Sequence, residues 1–186
     1  MSRSPESDGA RRLREPFRPA PERSDIGITS LSDTPETRCA YYRSHCGLQA
    51  HVEHQTGRII LRVGTVAAIT MPSGLGVRVK GLLAARNVAA GPVISHPRSQ
   101  RWTFLAAPDI PVFDLLLYAE MYRASVTVAP VGAEVALPSP TNNTDAYRVW
   151  NTLPDNDCRP SAALVLEVVR DCAQLRRVTG AKDSER

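Results

Sequence analysis

The sequence predicts an α+β domain in which helices pack on a single mixed β-sheet. Six or so short segments rich in β-branched residues are separated by turn residues, as strands usually are. Two amphipathic helical segments interrupt this series, which is typical of a sheet covered by helices on one face. The chain has 186 residues, of which 42% are hydrophobic, and this is enough for one domain with a core of ordinary size.

The domain is expected to occupy residues 36–178. Residues 1–35 contain five of the fifteen prolines and show no apolar periodicity, which predicts a disordered tail rich in Pro, Arg and Ser. Residues 179–186 are interpreted as a C-terminal tail. Up to residue 36 the chain has six Arg against seven acidic residues, whereas the remainder has 17 basic against 12 acidic residues. The basic surplus therefore belongs to the predicted domain.

Local signals predict the elements in order. Thr34 and Pro35 are typical of a helix start, and Gly47 is a natural helix end. Ser73 is expected to cap the second helix, and Leu116 to lie on the buried face of the third, beside Phe113, Leu117 and Met121. Helices are predicted at 35–46, 73–87, 111–122 and 160–177, and strands at 51–54, 58–63, 65–71, 92–95, 101–105, 125–128, 134–137 and 146–150.

Composition excludes some classes of protein. The formal net charge is +4, a mild excess that is compatible with a polyanionic partner without requiring one. No run approaches the roughly 18 apolar residues of a membrane helix. Charges occupy the N-terminus where a signal peptide would be apolar. We therefore expect a cytoplasmic protein with no membrane partner, whose four cysteines are reduced.

A cluster of potential metal ligands comprises Cys39, His45, Cys46, His51 and His54. Structural zinc sites usually begin with two cysteines about two to four residues apart. Six residues separate Cys39 from Cys46, so two core thiols on one helix are the preferred interpretation. We expect no metal site and no cofactor.

The segment from residue 95 to 102 is the polar stretch that suggests chemistry. Arg side chains and backbone amides in such a turn suit phosphate, and a Trp offers a stacking surface for a base. The alternative is a solvated hairpin whose Trp covers the edge of the sheet. The candidate binding residues in this segment are Ser95, His96, Arg98, Ser99, Arg101 and Trp102.

Two stretches taken together resemble the bifunctional primase–polymerase domain of the archaeo-eukaryotic primase superfamily. Ser99-Gln100-Arg101-Trp102-Thr103-Phe104 is similar to its Ser-to-His turn and following strand. Gly132 through Ser139, followed by Tyr147-Arg148-Val149-Trp150, is similar to its Gly-to-Pro-Ser element and its Tyr-x-Trp. The resemblance covers roughly residues 50 to 170. It implies an RRM-like core and a role in DNA replication or transcription.

The resemblance also implies that the catalytic centre of that family is lost here. Its two metal-binding acids correspond to Ile69 and Met71, its third carboxylate to about Val126, and its turn His to Trp102. Apolar side chains cannot coordinate the divalent cations that nucleotidyl transfer needs. We therefore expect a catalytically degenerate member with no polymerase activity.

The leading functional hypothesis is an accessory module that binds single-stranded nucleic acid or a nucleotide. Ser139 and Arg148 join the residues of the 95–102 segment as candidate contacts. One alternative is an active primase–polymerase with relocated acids, such as Asp109, Asp114 or Glu134. The other is a protein-interaction module that uses the apolar helices at 111–122 and 160–177.

Overall fold

The computed structural model describes residues 33–110, 114–140 and 147–174. The predicted disordered tail falls mostly outside these residues, as does the C-terminal tail. The helices are α1 (Pro35–Ser44), α2 (Ser73–Ala85), α3 (Leu115–Arg123) and α4 (Ala162–Ala173). The strands are β1 (Ala50–Glu53), β2 (Arg58–Arg62), β3 (Ala67–Pro72), β4 (Val93–His96), β5 (Arg101–Ala106), β6 (Thr127–Val128), β7 (Glu134–Leu137) and β8 (Val149–Thr152).

The strands form two antiparallel sheets. A three-stranded sheet has the order β1-β2-β7, and a five-stranded sheet has the order β6-β3-β5-β4-β8. The described strand pairs are all antiparallel, and parallel pairing is limited to an isolated bridge between Ala107 and Ser161. The α+β class is confirmed. The expectation of one mixed sheet is wrong, because β2 pairs with the distant β7 and leaves the larger sheet.

Four strands of the larger sheet follow a recurrent chain path. Along the sequence they run β3-α2-β4-β5-α3-β6, and across the sheet they lie in the order β6-β3-β5-β4. The first of these four strands, β3, therefore lies between the third, β5, and the fourth, β6. Helix α2 connects β3 to β4, and helix α3 connects β5 to β6. This is the split β-α-β arrangement. β8 adds a fifth strand beside β4.

The five-stranded sheet separates two layers of apolar packing. On one face, Ile69 and Met71 of β3 contact the apolar residues of α2, α3 and α4. On the other face, Ala68 of β3, Ile94 of β4 and Leu105 of β5 contact α1 and the three-stranded sheet. Alternation along each strand produces this division, since successive side chains point to opposite faces. Further along the same face the side chains are polar, and they include Thr70, His96, Arg101 and Thr103.

The ends of the helices only partly follow the sequence signals. Thr34 caps α1 as predicted, accepting a hydrogen bond from the Thr37 amide at 3.2 Å. Ser73 does not cap α2, because the helix already begins at this residue and its amide donates to the Gln100 carbonyl. α3 begins at Leu115, later than predicted, because the Asp114 side chain caps the Leu117 amide at 2.9 Å. Residues 111–113 of that predicted helix lie outside the described residues.

α4 ends at Ala173, and Gln174 after it adopts a left-handed conformation at φ +55°. Residues 175–177 of the predicted helix lie outside the described residues. Leu116 of α3 was expected to be buried, but 56% of it is exposed. In the part of the chain that the structure describes, no helix combines the length and apolarity needed to cross a bilayer.

Candidate nucleic-acid interface

The turn between β4 and β5 positions the candidate binding residues on both faces of the sheet. A short 3-10 turn at Pro97–Ser99 and a left-handed Gln100 at φ +51° connect the two strands. The register then pairs His96 with Arg101, and Ser95 with Trp102. Because neighbouring strand residues alternate, these two pairs point to opposite faces.

Trp102 lies on the helix side of the sheet and packs against the apolar core there. A Cβ atom at Gly76 of α2 would come within 2.8 Å of its Cε3 atom, so indole and helix backbone are in close contact. Ser95, its partner across the ladder, belongs to the same face. The sequence hypothesis that Trp102 and the arginines share one binding surface is therefore corrected. Trp102 covers the core and not the edge of the sheet that the alternative interpretation assigned to it, because β5 is the central strand.

His96 and Arg101 lie at the polar end of the opposite face. The Nε2 atom of His96 shares a hydrogen bond of 2.8 Å with the Thr103 hydroxyl, which shares another of 2.8 Å with the Thr70 hydroxyl. Arg101 Nη2 donates to the carbonyls of Thr70 at 3.1 Å and Ser125 at 2.8 Å. These bonds fix both side chains. Arg101 is therefore held in place by backbone carbonyls, which carry no formal charge to offset its own.

Arg148 lies next to His96 without an acidic partner among the described residues. Burial lowers the pKa of His96, and the positive charges of Arg148 and Arg101 lower it further. Burial also lowers the pKa of Arg148, together with the positive charge of Arg58 at the start of β2. Burial is the larger cause of both shifts, and the smaller charge contributions indicate that Arg58, Arg101 and Arg148 lie near the imidazole of His96 or near one another. A positive electrostatic potential therefore develops at this end of the sheet.

Arg98 extends this positive region across the turn. Its guanidinium lies over the ring of Tyr147, with Cζ 3.7 Å from the ring centroid. Ser99 is exposed and donates its hydroxyl hydrogen to the His96 carbonyl at 3.4 Å. We use the term basic cluster for Arg58, His96, Arg98, Arg101 and Arg148.

Ser139 is 6% exposed, so its hydroxyl is directed inward, where it donates to the Gly57 carbonyl at 3.3 Å. With Arg148 it lines a pocket of about 300 Å³ at the border of the basic cluster. Tyr42 and Trp150 also line this pocket and were absent from the predicted site. The Tyr-x-Trp pattern contained a signal for Trp150, whereas nothing local associates Tyr42 with a strand over 100 residues away.

The positions that correspond to catalytic acids in the primase–polymerase resemblance lie in the helix-side core. Ile69, Met71 and Val126 are all buried there, among apolar side chains. A carboxylate at any of these positions would face the apolar core. Within residues 33–110, 114–140 and 147–174, no three His, Cys, Asp or Glu side chains lie close enough to share a metal ion.

The acids proposed as relocated ligands are found in separate places. Asp109 accepts a hydrogen bond from the Ala163 amide at the start of α4. Asp114 caps α3, and the exposed Glu134 lies 3.9 Å from Arg62. Each contacts a different element. The described structure therefore brings no two of them together.

No family model matches this chain, and comparison with curated proteins and with solved structures finds no significant match either. The assignment of a function therefore depends on the geometry of the site and on the resemblance to the primase–polymerase domain.

Proposed function

We propose that this chain is a catalytically degenerate primase–polymerase-like module that binds single-stranded nucleic acid through the basic cluster. The observation that carries the proposal is the environment of Arg148. Its half-buried side chain lines the pocket beside Ser139, and the neighbouring positive charge is that of Arg58, with no acidic partner for Arg148 in the described residues. Holding like charges together costs free energy, and a bound anion would recover it.

Phosphate is the anion that this chemistry suits best. Guanidinium groups bind phosphate oxygens through two parallel hydrogen bonds, and several Arg side chains can follow a backbone of repeated phosphates. Arg98 lies over the ring of Tyr147, which is 43% exposed and directly precedes Arg148 in the chain, so an aromatic surface adjoins the basic cluster. Interleaved cations and aromatic rings are typical of single-strand binding proteins.

The split β-α-β path of the larger sheet supports the primase–polymerase-like part of the proposal. The resemblance implies an RRM-like core, and four-stranded sheets of that type bind RNA on their open face. His96 and Arg101 of the basic cluster belong to the face that α1 and the three-stranded sheet partly cover, at the polar end of that face. Since apolar residues occupy the positions of the catalytic acids, we expect binding without nucleotidyl transfer.

Binding is tested by fluorescence anisotropy with labelled single-stranded DNA and RNA at several salt concentrations. Arg148→Gln is expected to weaken binding and to reduce the slope of log K against log salt by about 0.7 for each phosphate that the variant no longer neutralises. Arg78→Gln is the matched control, because Arg78 is exposed on α2 on the helix side and the net charge changes equally.

Equal losses in the two variants would show that binding depends on net charge alone and would refute the site. No binding at low salt would refute the proposed function. Product formation in a primer-extension assay with Mg²⁺ or Mn²⁺ would refute the degenerate assignment and favour the relocated acids.

The exposed face of α3 favours a second candidate function, protein interaction. Leu115 and Tyr122 are 81% and 82% exposed, and Leu116 lies beside them. α4 gives this candidate less support, because most of its apolar side chains are buried in the core. Light scattering on the native chain and on Leu115→Ser tests it. A mass that rises with concentration in the native chain and not in the variant is the expected result.

A further inference from the structure

The pocket beside the basic cluster lies where three distant segments meet. α1 contributes Tyr42, the residues after β7 contribute Pro138 and Pro140, and β8 contributes Trp150. Its volume of about 300 Å³ is at the lower end of the range for small-molecule sites. This space suits one planar ring system better than a large ligand.

The aromatic walls of the pocket are held rigidly by their own hydrogen bonds. Trp150 Nε1 donates to the Tyr42 hydroxyl at 2.8 Å, and that hydroxyl donates to the Pro138 carbonyl at 3.1 Å. The two rings meet edge to face, with centroids 5.7 Å apart. The N–H and O–H groups of both rings are therefore satisfied inside the protein. Tyr42 is 2% exposed and supports the indole from behind, whereas the partly exposed Trp150 presents apolar surface to a ligand.

The charges at the pocket are distributed unevenly. Arg38 and Asp33 form an ion pair at one side, so their charges offset each other. Arg148 borders the pocket and also belongs to the basic cluster, where it has no acidic partner among the described residues. An occupant that satisfies both features has a flat apolar body joined closely to an anion. A nucleotide has this combination, with the base as the flat body and the phosphate as the anion.

We infer that this pocket receives one unstacked base of the bound strand, while the phosphate of the same nucleotide contacts Arg148. The inference rests on the proposed function and adds a base site to it. It also replaces Trp102 by Trp150 as the ring that contacts a base. Pro138, Pro140 and Leu153 complete the apolar wall around that base.

The experiment compares adenosine 5′-monophosphate with ribose 5-phosphate, which presents the same phosphate without a base. Chemical shifts of the two indole N–H groups are followed by NMR in the full chain, and a Trp102→Phe variant assigns them. We expect the nucleotide to bind about tenfold more tightly, since stacking of one base on an aromatic side chain contributes on that scale. We also expect the nucleotide to shift the Trp150 signal and to leave the Trp102 signal unchanged.

Leu153→Gln tests the wall of the pocket, and Leu116→Gln on α3 is its matched control. Both leucines are largely exposed, at 66% and 56%, so neither change should disturb folding. The advantage of the nucleotide over ribose 5-phosphate should shrink in Leu153→Gln and persist in Leu116→Gln. Equal affinities in the native chain, no detectable nucleotide binding, or an unmoved Trp150 signal would each overturn the base site.

These outcomes separate the base site from the proposed function. If single-stranded DNA binds with a salt slope that depends on Arg148, but the nucleotide binds no more tightly than ribose 5-phosphate, the base site alone is refuted. Failure of both single-stranded DNA and single-stranded RNA to bind refutes the proposed function, whichever result the nucleotide gives.

Discussion

Alanine substitutions at Gly76 and Gly81 of α2 are expected to change stability in opposite directions. In a helix interior Ala is favoured over Gly by about 1 kcal/mol. At Gly81 an added Cβ would meet no atom within 4 Å, so Gly81→Ala should stabilise the chain by about that amount. At Gly76 the added Cβ would lie 2.8 Å from Cε3, 3.2 Å from Cδ2 and 3.3 Å from Cβ of Trp102.

Overpacking of this kind costs about 1–3 kcal/mol in well-packed cores. The Trp102 Cβ atom is among the contacts, so the indole cannot relieve them by moving its far end alone. Once the helix gain is subtracted, Gly76→Ala should destabilise the chain by about 0–2 kcal/mol. The two variants should then differ by about 1–3 kcal/mol in the free energy of unfolding.

Urea denaturation followed by circular dichroism measures this difference, and unchanged m-values would confirm that only stability has changed. Thermal denaturation should agree, at about 2–4 °C per kcal/mol for a chain of this size. Adding Trp102→Phe to Gly76→Ala should recover part of the loss, because the smaller ring lacks the benzo edge of the indole. If Gly76→Ala stabilises as much as Gly81→Ala, Trp102 does not lie on the helix side and returns to the candidate interface.

Two further predictions concern charged groups. Glu120 is 4% exposed, and its carboxylate binds Arg170 through contacts of 2.8–3.0 Å. Arg170→Met should therefore lower the free energy of unfolding in urea by about 3–5 kcal/mol, whereas the double variant Glu120→Leu with Arg170→Met should lower it far less. A loss below about 1 kcal/mol for the single change would contradict the burial of the pair. Burial and the charges of Arg148 and Arg101 lower the pKa of His96 in the folded chain below its usual 6.5. On acidification the unfolded chain therefore binds this proton first, at a higher pH than the folded chain does. The stability that His96 contributes is complete above pH 6.5 and is lost as the pH falls below that value. The melting temperatures of the native chain and of His96→Gln should therefore approach each other as the pH is lowered from 7.5 to 5. A native chain that becomes more stable than the variant on acidification would contradict the lowered pKa.

Elements with strong local signals were predictable from the sequence. Thr34 and Pro35 predicted the start of α1, and every predicted strand overlaps a strand of the structure. Local patterns could not reveal that β2 leaves the larger sheet, because its partner β7 is distant in sequence and strand pairing depends on tertiary packing. The expectation of a single sheet failed for this reason.

The candidate interface was only partly predictable, although one error could have been avoided. Arg101 and Trp102 are neighbours in a strand, and alternation alone places their side chains on opposite faces. We assigned both residues to one binding surface because they are adjacent in the sequence, whereas the strand places their side chains on opposite faces of the sheet. Arg58 could not be found this way, since the fold alone places it close to Arg148.

The hydrogen bonds of Tyr42 have a consequence for the order of folding. This side chain bonds to Pro138 and Trp150, which follow it by 96 and 108 residues. Contacts of such high sequence separation form slowly, because a long loop must close before they stabilise the chain. During synthesis at about 5–20 residues per second, α1 would therefore wait roughly 5–20 s for the partner strand to emerge. The contact between Tyr42 and Trp150 would then form late, when of the described helices and strands only α4 has still to follow.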